Sequence, residues 1–224
     1  MARRTKEDAL ATRHKLLDAA EHLFQAQGVS RTSLQDIARR AGATRGAVYW
    51  HFKDKADLFN AMMERVTLPM ENAFNQENDL QQNLGTPSLN SIDRIRLSTV
   101  NALRQIVTDA QTRRVFEVAT QKVEYVEELQ AVRLRHLAVR GGFLLGIEQA
   151  VATAAGQMNL QLPVSASAAA QGLHALIDGL IQNWLLDPEA FDLLEIGQLA
   201  IDVYLRGLGF PGAPAAAGPR GAGK

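Results

Sequence analysis

Residues 32–55 gather side chains that donate or accept hydrogen bonds at regular spacing: Thr32, Ser33, Thr44, Arg45, Tyr49, Trp50, His51 and Lys55. Hydroxyls, an indole, an imidazole and two cations are present, and no carboxylate lies in residues 44–53. Such a set lacks the acid–base pairing of a catalytic site and suits phosphate oxygens and base edges of a nucleic acid. In a helix over about 44–51, at 100° per residue, Val48 and Phe52 point to a core. Gly46 and Trp50 then lie opposite, with Tyr49 and His51 on the flanks. The small residues Gly46 and Ala47 let the helix start approach base edges closely, and the polar aromatics near its end reach phosphates. Arg45, at the start, is the candidate for a base edge. Tyr49, His51 and Lys55 are the candidates for phosphates.

Two further elements must hold that helix in place. Leu34, Ile37, Ala38 and Ala41 fall at i, i+3, i+4 and i+7, one stripe of a helical period. Either Thr32 with Gln35 or Ser33 with Asp36 supplies a capping box for its start. Gly42 permits the sharp turn between the two helices. Upstream, a helix over about 7–27, capped at Thr5 and stopped at Gly28, carries the apolar stripe Leu10, Leu16, Leu17, Ala20, Leu23 and Phe24. Downstream, Asp54 and Asp57 cap a helix carrying Leu58, Phe59, Met62 and Val66, with Pro69 expected to bend it.

The spacing of Thr32, Ser33, Asp36, Ile37, Ala38, Ala41, Gly42, Thr44, Gly46, Val48, Tyr49, His51, Phe52 and Lys55 resembles the DNA-binding domain of the TetR family of bacterial transcription regulators. Residues 3–15 are similar to the opening of the AcrR-like multidrug-efflux repressors within that family. The resemblance implies an all-α fold, with a three-helix helix-turn-helix domain before a larger helical domain for ligand binding and dimerisation. It also implies DNA contacts from Thr32, Ser33, Thr44, Arg45, Gly46, Ala47, Tyr49, Trp50, His51 and Lys55.

Charge follows the same division. Residues 1–55 hold 11 Lys and Arg against 6 Asp and Glu, and residues 56–224 hold 13 against 18, so a neutral total conceals a basic end drawn to phosphate. There is no cysteine, which removes disulfides and thiolate chemistry. No apolar stretch approaches the ~20 residues that cross a bilayer, and the first ten residues lack the apolar core of a signal peptide, so a cytoplasmic protein is expected. Gly207, Gly209 and Gly212 satisfy a dinucleotide-binding spacing, but no strand precedes it, Pro211 interrupts it and no helix follows. The histidines form no metal-ligand pairing. Neither an enzyme nor a cofactor is expected.

In the remaining chain, residues 75–91 read as a polar loop, and helices are expected over about 91–109, 111–119 and 121–157. A helix over about 165–186 carries two stripes: Leu173, Leu176, Ile177, Leu180, Ile181 and Trp184 on one side, and Ala168, Gly172, Ala175 and Gly179 on another. A helix with two packing faces needs two partners, which suits a homodimer seam completed by a helix over 192–208. The tail over 211–224 reads as disordered. The segments around 112–124 and 178–184 are similar to the corresponding parts of efflux repressors, which implies an inducer pocket at Phe116, Glu117, Thr120, Asp178 and Asn183. Glu117 has a second reading as a salt-bridge partner of Arg113 or Arg114. The expected division is a DNA-binding domain over 1–55, a ligand-binding and dimerisation domain over 56–210, and the tail. The expected partners are an inverted-repeat operator in double-stranded DNA, a hydrophobic small-molecule inducer and a second copy of the chain. No membrane is among them. A regulator of another operon with the same reading head and an unrelated small ligand, or none, stays open.

Overall fold

The computed structural model describes residues 6–67 and 90–212, and every regular element among them is helical. The expectations for Thr5, Pro69, the loop up to residue 89 and the tail from 213 fall outside the described residues. The helices are α1 (Lys6–Gln27), α2 (Leu34–Arg40), α3 (Arg45–His51), α4 (55–67), α5 (Ser91–Thr108), α6 (Ala110–Gln121), α7 (Gln130–Gln157), α8 (Ala166–Leu186) and α9 (Leu193–Gly207), with a short 3₁₀ turn at Glu127–Leu129. None of the described helices is long and apolar enough to cross a membrane. The chain divides into two compact units, Met1–Gly85 with Arg104–Gly142, and Thr86–Leu103 with Phe143–Lys224.

The first unit is built around α1. Leu16, Leu17 and Phe24 are fully buried against Ile37, Val48, Phe52, Leu58 and Met62, and the same core takes in Val115 and Val118 of α6 with Leu129 and Val132. Leu10 differs from expectation, being 49% exposed. The 22-residue α1 is about 33 Å long whereas α2 and α3, at seven residues each, span about 10 Å, so the hairpin leaves the first turns of α1 uncovered. Gly28, at φ +86°, ends α1 as a left-handed cap and returns its N–H to Phe24 O at 2.9 Å.

The long helix expected over 121–157 is broken. α6 stops at Gln121, residues 122–126 are irregular, and α7 begins only at Gln130. The competition is tertiary: Val29, in the turn after α1, donates its N–H to Lys122 O at 3.0 Å and takes a carbonyl that a continuous helix would use. The β-branched and aromatic residues Val123, Tyr125 and Val126 then offer little helical preference to restore it. At the other end of α6, Asp109 separates α5 from α6 by accepting from the N–H of Thr112 at 2.9 Å and from its hydroxyl at 2.6 Å. Those bonds hold the Asp109 carboxyl below its ordinary pKa.

In the second unit, Ile92 and Ile95 of α5, Val151 and Ala154 of α7, Ala169 and Leu173 of α8, and Ile201 and Leu205 of α9 form the core. Ser165 caps α8 by accepting from Ala168 N at 3.1 Å. Asp192 caps α9 by accepting from Leu194 N and Glu195 N. The two stripes of α8 separate as expected in part. Leu173, Ile181 and Trp184 are buried and Ala168 and Ala175 are exposed, but Gly172 belongs to the contact with α9 of the same chain. A Cβ there would collide with Tyr204 Oη and lie 2.9 Å from Cζ. At Gly179 a Cβ meets nothing within 4 Å. On α9, Leu199 and Val203 stay 56% and 70% exposed.

Candidate nucleic-acid interface

The local rules that shape α2 and α3 also aim the polar face. Of the two capping boxes the sequence allows, the chain uses the second: Ser33 Oγ accepts from Asp36 N at 3.1 Å and Asp36 Oδ2 accepts from Ser33 N at 3.2 Å. Both Ser33 bonds hold the Asp36 carboxyl below its ordinary pKa. Gly42, at φ +65°, makes the turn, and Thr44 Oγ1 starts α3 by accepting from Ala47 N at 3.2 Å. Val48 and Phe52 lock α3 onto the core. Asp54 accepts from Asp57 N at 2.8 Å and Asp57 accepts from Lys53 N at 2.9 Å, so two side chains cap the start of α4.

With α3 fixed in this way, Arg45, Gly46, Tyr49 and Trp50 stand exposed in a row, Trp50 at 71%. Ala47 is small and buried. His51 is half-buried, with its ring edge-on to Trp50 at 4.5 Å between centroids. The Arg45 guanidinium carbon lies 5.5 Å from the centre of the Tyr49 ring. An open groove of about 470 Å³ runs alongside, lined by Ser33, Arg45 and Tyr49 together with Arg31, Gln35 and Lys53. Those last three escaped the sequence reading. Their only signal was a basic or amide side chain within a few residues of the hairpin.

Two of the polar sequence candidates turn inward. Thr32 is 1% exposed, and its hydroxyl donates to Gly28 O at 2.7 Å and accepts from Gln27 Nε2. Lys55 is 8% exposed, and its ammonium donates to Ser30 O and Thr32 O, each at 3.3 Å, and pairs with Glu128 Oε1 at 3.2 Å. Three partners fill the three donors of a lysine. The ammonium therefore clamps the segment that precedes α2 onto the start of α4.

Of the residues implied for an inducer, Phe116, Glu117 and Thr120 lie on α6 in the first unit, and Asp178 and Asn183 lie on α8 in the second. Phe116 packs partly buried on the first core, and Thr120 Oγ1 donates back to Phe116 O at 2.9 Å. Glu117 accepts from Gln25 Nε2 of α1 at 2.7 Å. Arg114 goes to Glu21, and Arg113 to the carbonyls of Ile106 and Val107. Asp178 accepts from Gln182 at 2.6 Å, and Asn183 donates to Gly179 O at 2.7 Å. Five residues apart on one helix, Asp178 and Asn183 point about 140° from each other. In the first unit, a cavity of about 50 Å³ beside Phe59, Met63, Ala119 and Val132 is far below the ~300 Å³ of a drug-sized site and matches a few buried waters.

A buried carboxylate ties the reading head to α4 and α6. Glu21 of α1 is 1% exposed and accepts from Arg65 Nη1 and Gln111 Nε2, each at 2.9 Å, with Arg114 Nη1 at 3.4 Å. Burial pushes its carboxyl above the ordinary pKa, against the hydrogen bond from Gln111 and the charges of Arg65 and Arg114. The sequence signal was faint: a lone acid beside the apolar stripe of α1.

Comparison with known proteins settles what kind of head this is. Residues 16–62 match the bacterial regulatory proteins of the tetR family, and residues 90–210 match the C-terminal region of MAATS-type transcriptional repressors. The chain belongs to the TetR family. It is 36% identical over 196 residues to the HTH-type transcriptional regulator TtgR of Pseudomonas putida, covering 87% of this chain and 90% of TtgR. The crystal structure of NalD, the secondary repressor of the MexAB-OprM multidrug efflux pump in Pseudomonas aeruginosa, superposes with a TM-score of 0.78 at 36% identity, covering 90% of this chain and 97% of NalD. The complex of SmeT with triclosan superposes at 0.73 with 31% identity, covering 88% and 90%. SmeT is the repressor of the Stenotrophomonas maltophilia multidrug efflux pump SmeDEF. The protein is thus a TetR-family helix-turn-helix repressor related to repressors of multidrug efflux, and that family is not enzymatic.

Proposed function

We propose that the protein is a dimeric repressor that binds an inverted-repeat operator through α3, is released by a small apolar compound and controls a multidrug efflux operon. The observation that carries this reading is the exposed row of Arg45, Gly46, Tyr49 and Trp50 on a short helix whose opposite face is locked into a core. The kinship with efflux repressors over most of the chain supports the operon and the ligand class. Residues 1–55 are the part that meets DNA, residues 56–210 hold inducer and partner, and 211–224 are a tail. In this scheme Arg45 reaches a base edge, and Ser33, Tyr49, Trp50 and His51 face the backbone. Thr44, Gly46 and Ala47 admit the helix start to the groove, while Thr32 and Lys55 shape the segment before α2. Phe116, Glu117, Thr120, Asp178 and Asn183 are the candidates near the inducer.

Footprinting on the chain's own upstream region tests the reading. The expected footprint is symmetric, from recognition helices about 34 to 36 Å apart or a multiple of one helical turn. Triclosan, hydrophobic drugs and plant phenolics should include at least one compound that lowers operator affinity by about 5- to 150-fold, the usual range of coupling between two sites. An asymmetric single half-site would refute the dimeric operator, and a screen in which no compound displaces DNA would refute the inducer.

Two substitutions separate the roles at the DNA. Arg45→Ala should cost about 1 to 3 kcal/mol of binding and relax preference at one base pair. Lys55→Ala removes charged hydrogen bonds to Ser30 and Thr32, so it should lower the melting temperature and weaken binding to every sequence equally. A phosphate contact would instead reduce the slope of log affinity against log salt by about one unit. Because the ammonium is spent inside the chain, the expected slope is unchanged.

For the dimer, the α8 face around Gly179 and the exposed Leu199 and Val203 of α9 are the proposed seam. A Cβ at Gly179 meets nothing within 4 Å in its own chain, so Gly179→Leu should keep the protomer folded and shift sedimentation toward monomer. Overpacking at a helix crossing typically costs about 1 to 3 kcal/mol. An unchanged dimer would place the seam elsewhere.

A further inference from the structure

Arg45 is the first residue of α3 and Tyr49 lies one turn later on the same face. Besides the cation-over-ring contact, Arg45 Nη2 lies 3.5 Å from Tyr49 Oη, at the long end of a hydrogen bond. Among the described residues, little around them competes for the guanidinium. Residues 45–51 contain no carboxylate, Gly46 has no side chain, and the Thr44 hydroxyl is occupied by the helix cap. The acids of the hairpin are engaged as well: Asp36 by Ser33 and Arg39, and Asp54 and Asp57 by the start of α4.

The geometry points to Tyr49 as a positioning residue for base recognition, one that holds the Arg45 guanidinium along α3 while its own hydroxyl binds a phosphate. A free arginine samples many rotamers, and the face of an aromatic ring restrains the guanidinium plane electrostatically. So held, the planar fork keeps donors on its outer edge for the paired acceptors of a guanine. The phenol oxygen accepts from Nη2 and its proton stays available for a phosphate oxygen. A chain of contacts results, from phosphate to Tyr49 to Arg45 to base edge, and it ties the register of the helix on the backbone to the reading of one base pair. Affinity and specificity then share a residue that touches no base.

This inference rests on the operator-binding reading, and the experiment keeps the two apart. Wild-type protein is first used to select duplexes from a random library; enrichment of an inverted repeat upholds the operator reading, and failure to enrich one removes it together with this inference. Wild type, Arg45→Ala, Tyr49→Ala, Tyr49→Phe and the double alanine variant are then measured at fixed salt against that duplex and its single-base-pair variants. Tyr49→Ala should reduce preference by about two- to five-fold at the same base pair that Arg45→Ala relaxes, and leave preference at other positions in place. The double variant should discriminate at that position no worse than Arg45→Ala alone. Tyr49→Phe, which keeps the ring, should retain most of the preference while weakening all duplexes by a common factor. Tyr49 is half-exposed, so the melting temperatures of the variants should match wild type. A uniform loss of affinity in Tyr49→Ala, with base preference intact at every position, would overturn the inference and leave Tyr49 a phosphate contact alone.

Discussion

Glu21→Ala should destabilise the first unit by about 3 to 5 kcal/mol, because it takes the buried carboxylate from Arg114 and leaves Arg65 with Asp18 alone. Arg65 and Arg114 are each about one-fifth exposed, so water reaches them and the lower end of that range is expected. For a chain of this length about 3 kcal/mol corresponds to roughly 6 to 12 °C in melting temperature. Glu21→Gln should cost far less, since an amide keeps an acceptor for Gln111 and removes the desolvated charge. Thermal melts followed by circular dichroism compare the two, and equal, small losses would show that the cluster contributes little.

The same pair predicts a pH dependence. Burial raises the Glu21 carboxyl above its ordinary value of 4.5 in the fold. Between that value and the higher folded value the native chain holds more protons than the unfolded one. Its contribution is therefore fully present below the ordinary value and is lost as pH rises through the folded value. Relative to Glu21→Gln, wild type should lose ground as pH increases over that window. The caps behave in the opposite sense: Asp36 and Asp109 lie below their ordinary values, so what they contribute is lost on acidification.

Gly172→Leu should be the most damaging change in the second unit. Even a Cβ there overlaps Tyr204, whose hydroxyl donates to Ala169 O at 2.9 Å on the neighbouring turn of α8. The ring must move, which typically costs about 1 to 3 kcal/mol of overpacking and about 1 kcal/mol for the bond that is broken. Gly172→Ala should already destabilise the protein. At Gly179 on the same helix a Cβ meets nothing within 4 Å, so Gly179→Ala should gain up to about 1 kcal/mol of helix propensity within the protomer, before any cost at the proposed seam. Matching melts for the two alanine variants would mean that Tyr204 adapts without penalty.

The reading head was legible in residues 32–55 because its determinants are local. A capping side chain acts within three residues, Gly42 fixes its own turn, and the periods of Ile37, Ala38, Val48 and Phe52 state which faces are inward. The caps at Ser165 and Asp192 obey the same short-range rule. Whether Thr32 or Ser33 caps α2 was undetermined, since both spacings satisfy the same rule; Ser33 serves because the Thr32 hydroxyl is held by Gly28 O. Long-range partners were a different matter. Nothing near Lys55 in sequence tells that Glu128 and two carbonyls will take its ammonium, so the same residue reads equally well as a phosphate ligand. The end of α6 depended on an N–H from Val29, and the role of Gly172 depended on where α9 places Tyr204. Local rules choose helices and their faces, and a charged or small side chain on such a face has several possible partners of similar energy. Only the packing of distant helices, driven by burial of their apolar stripes, brings one of those partners within reach.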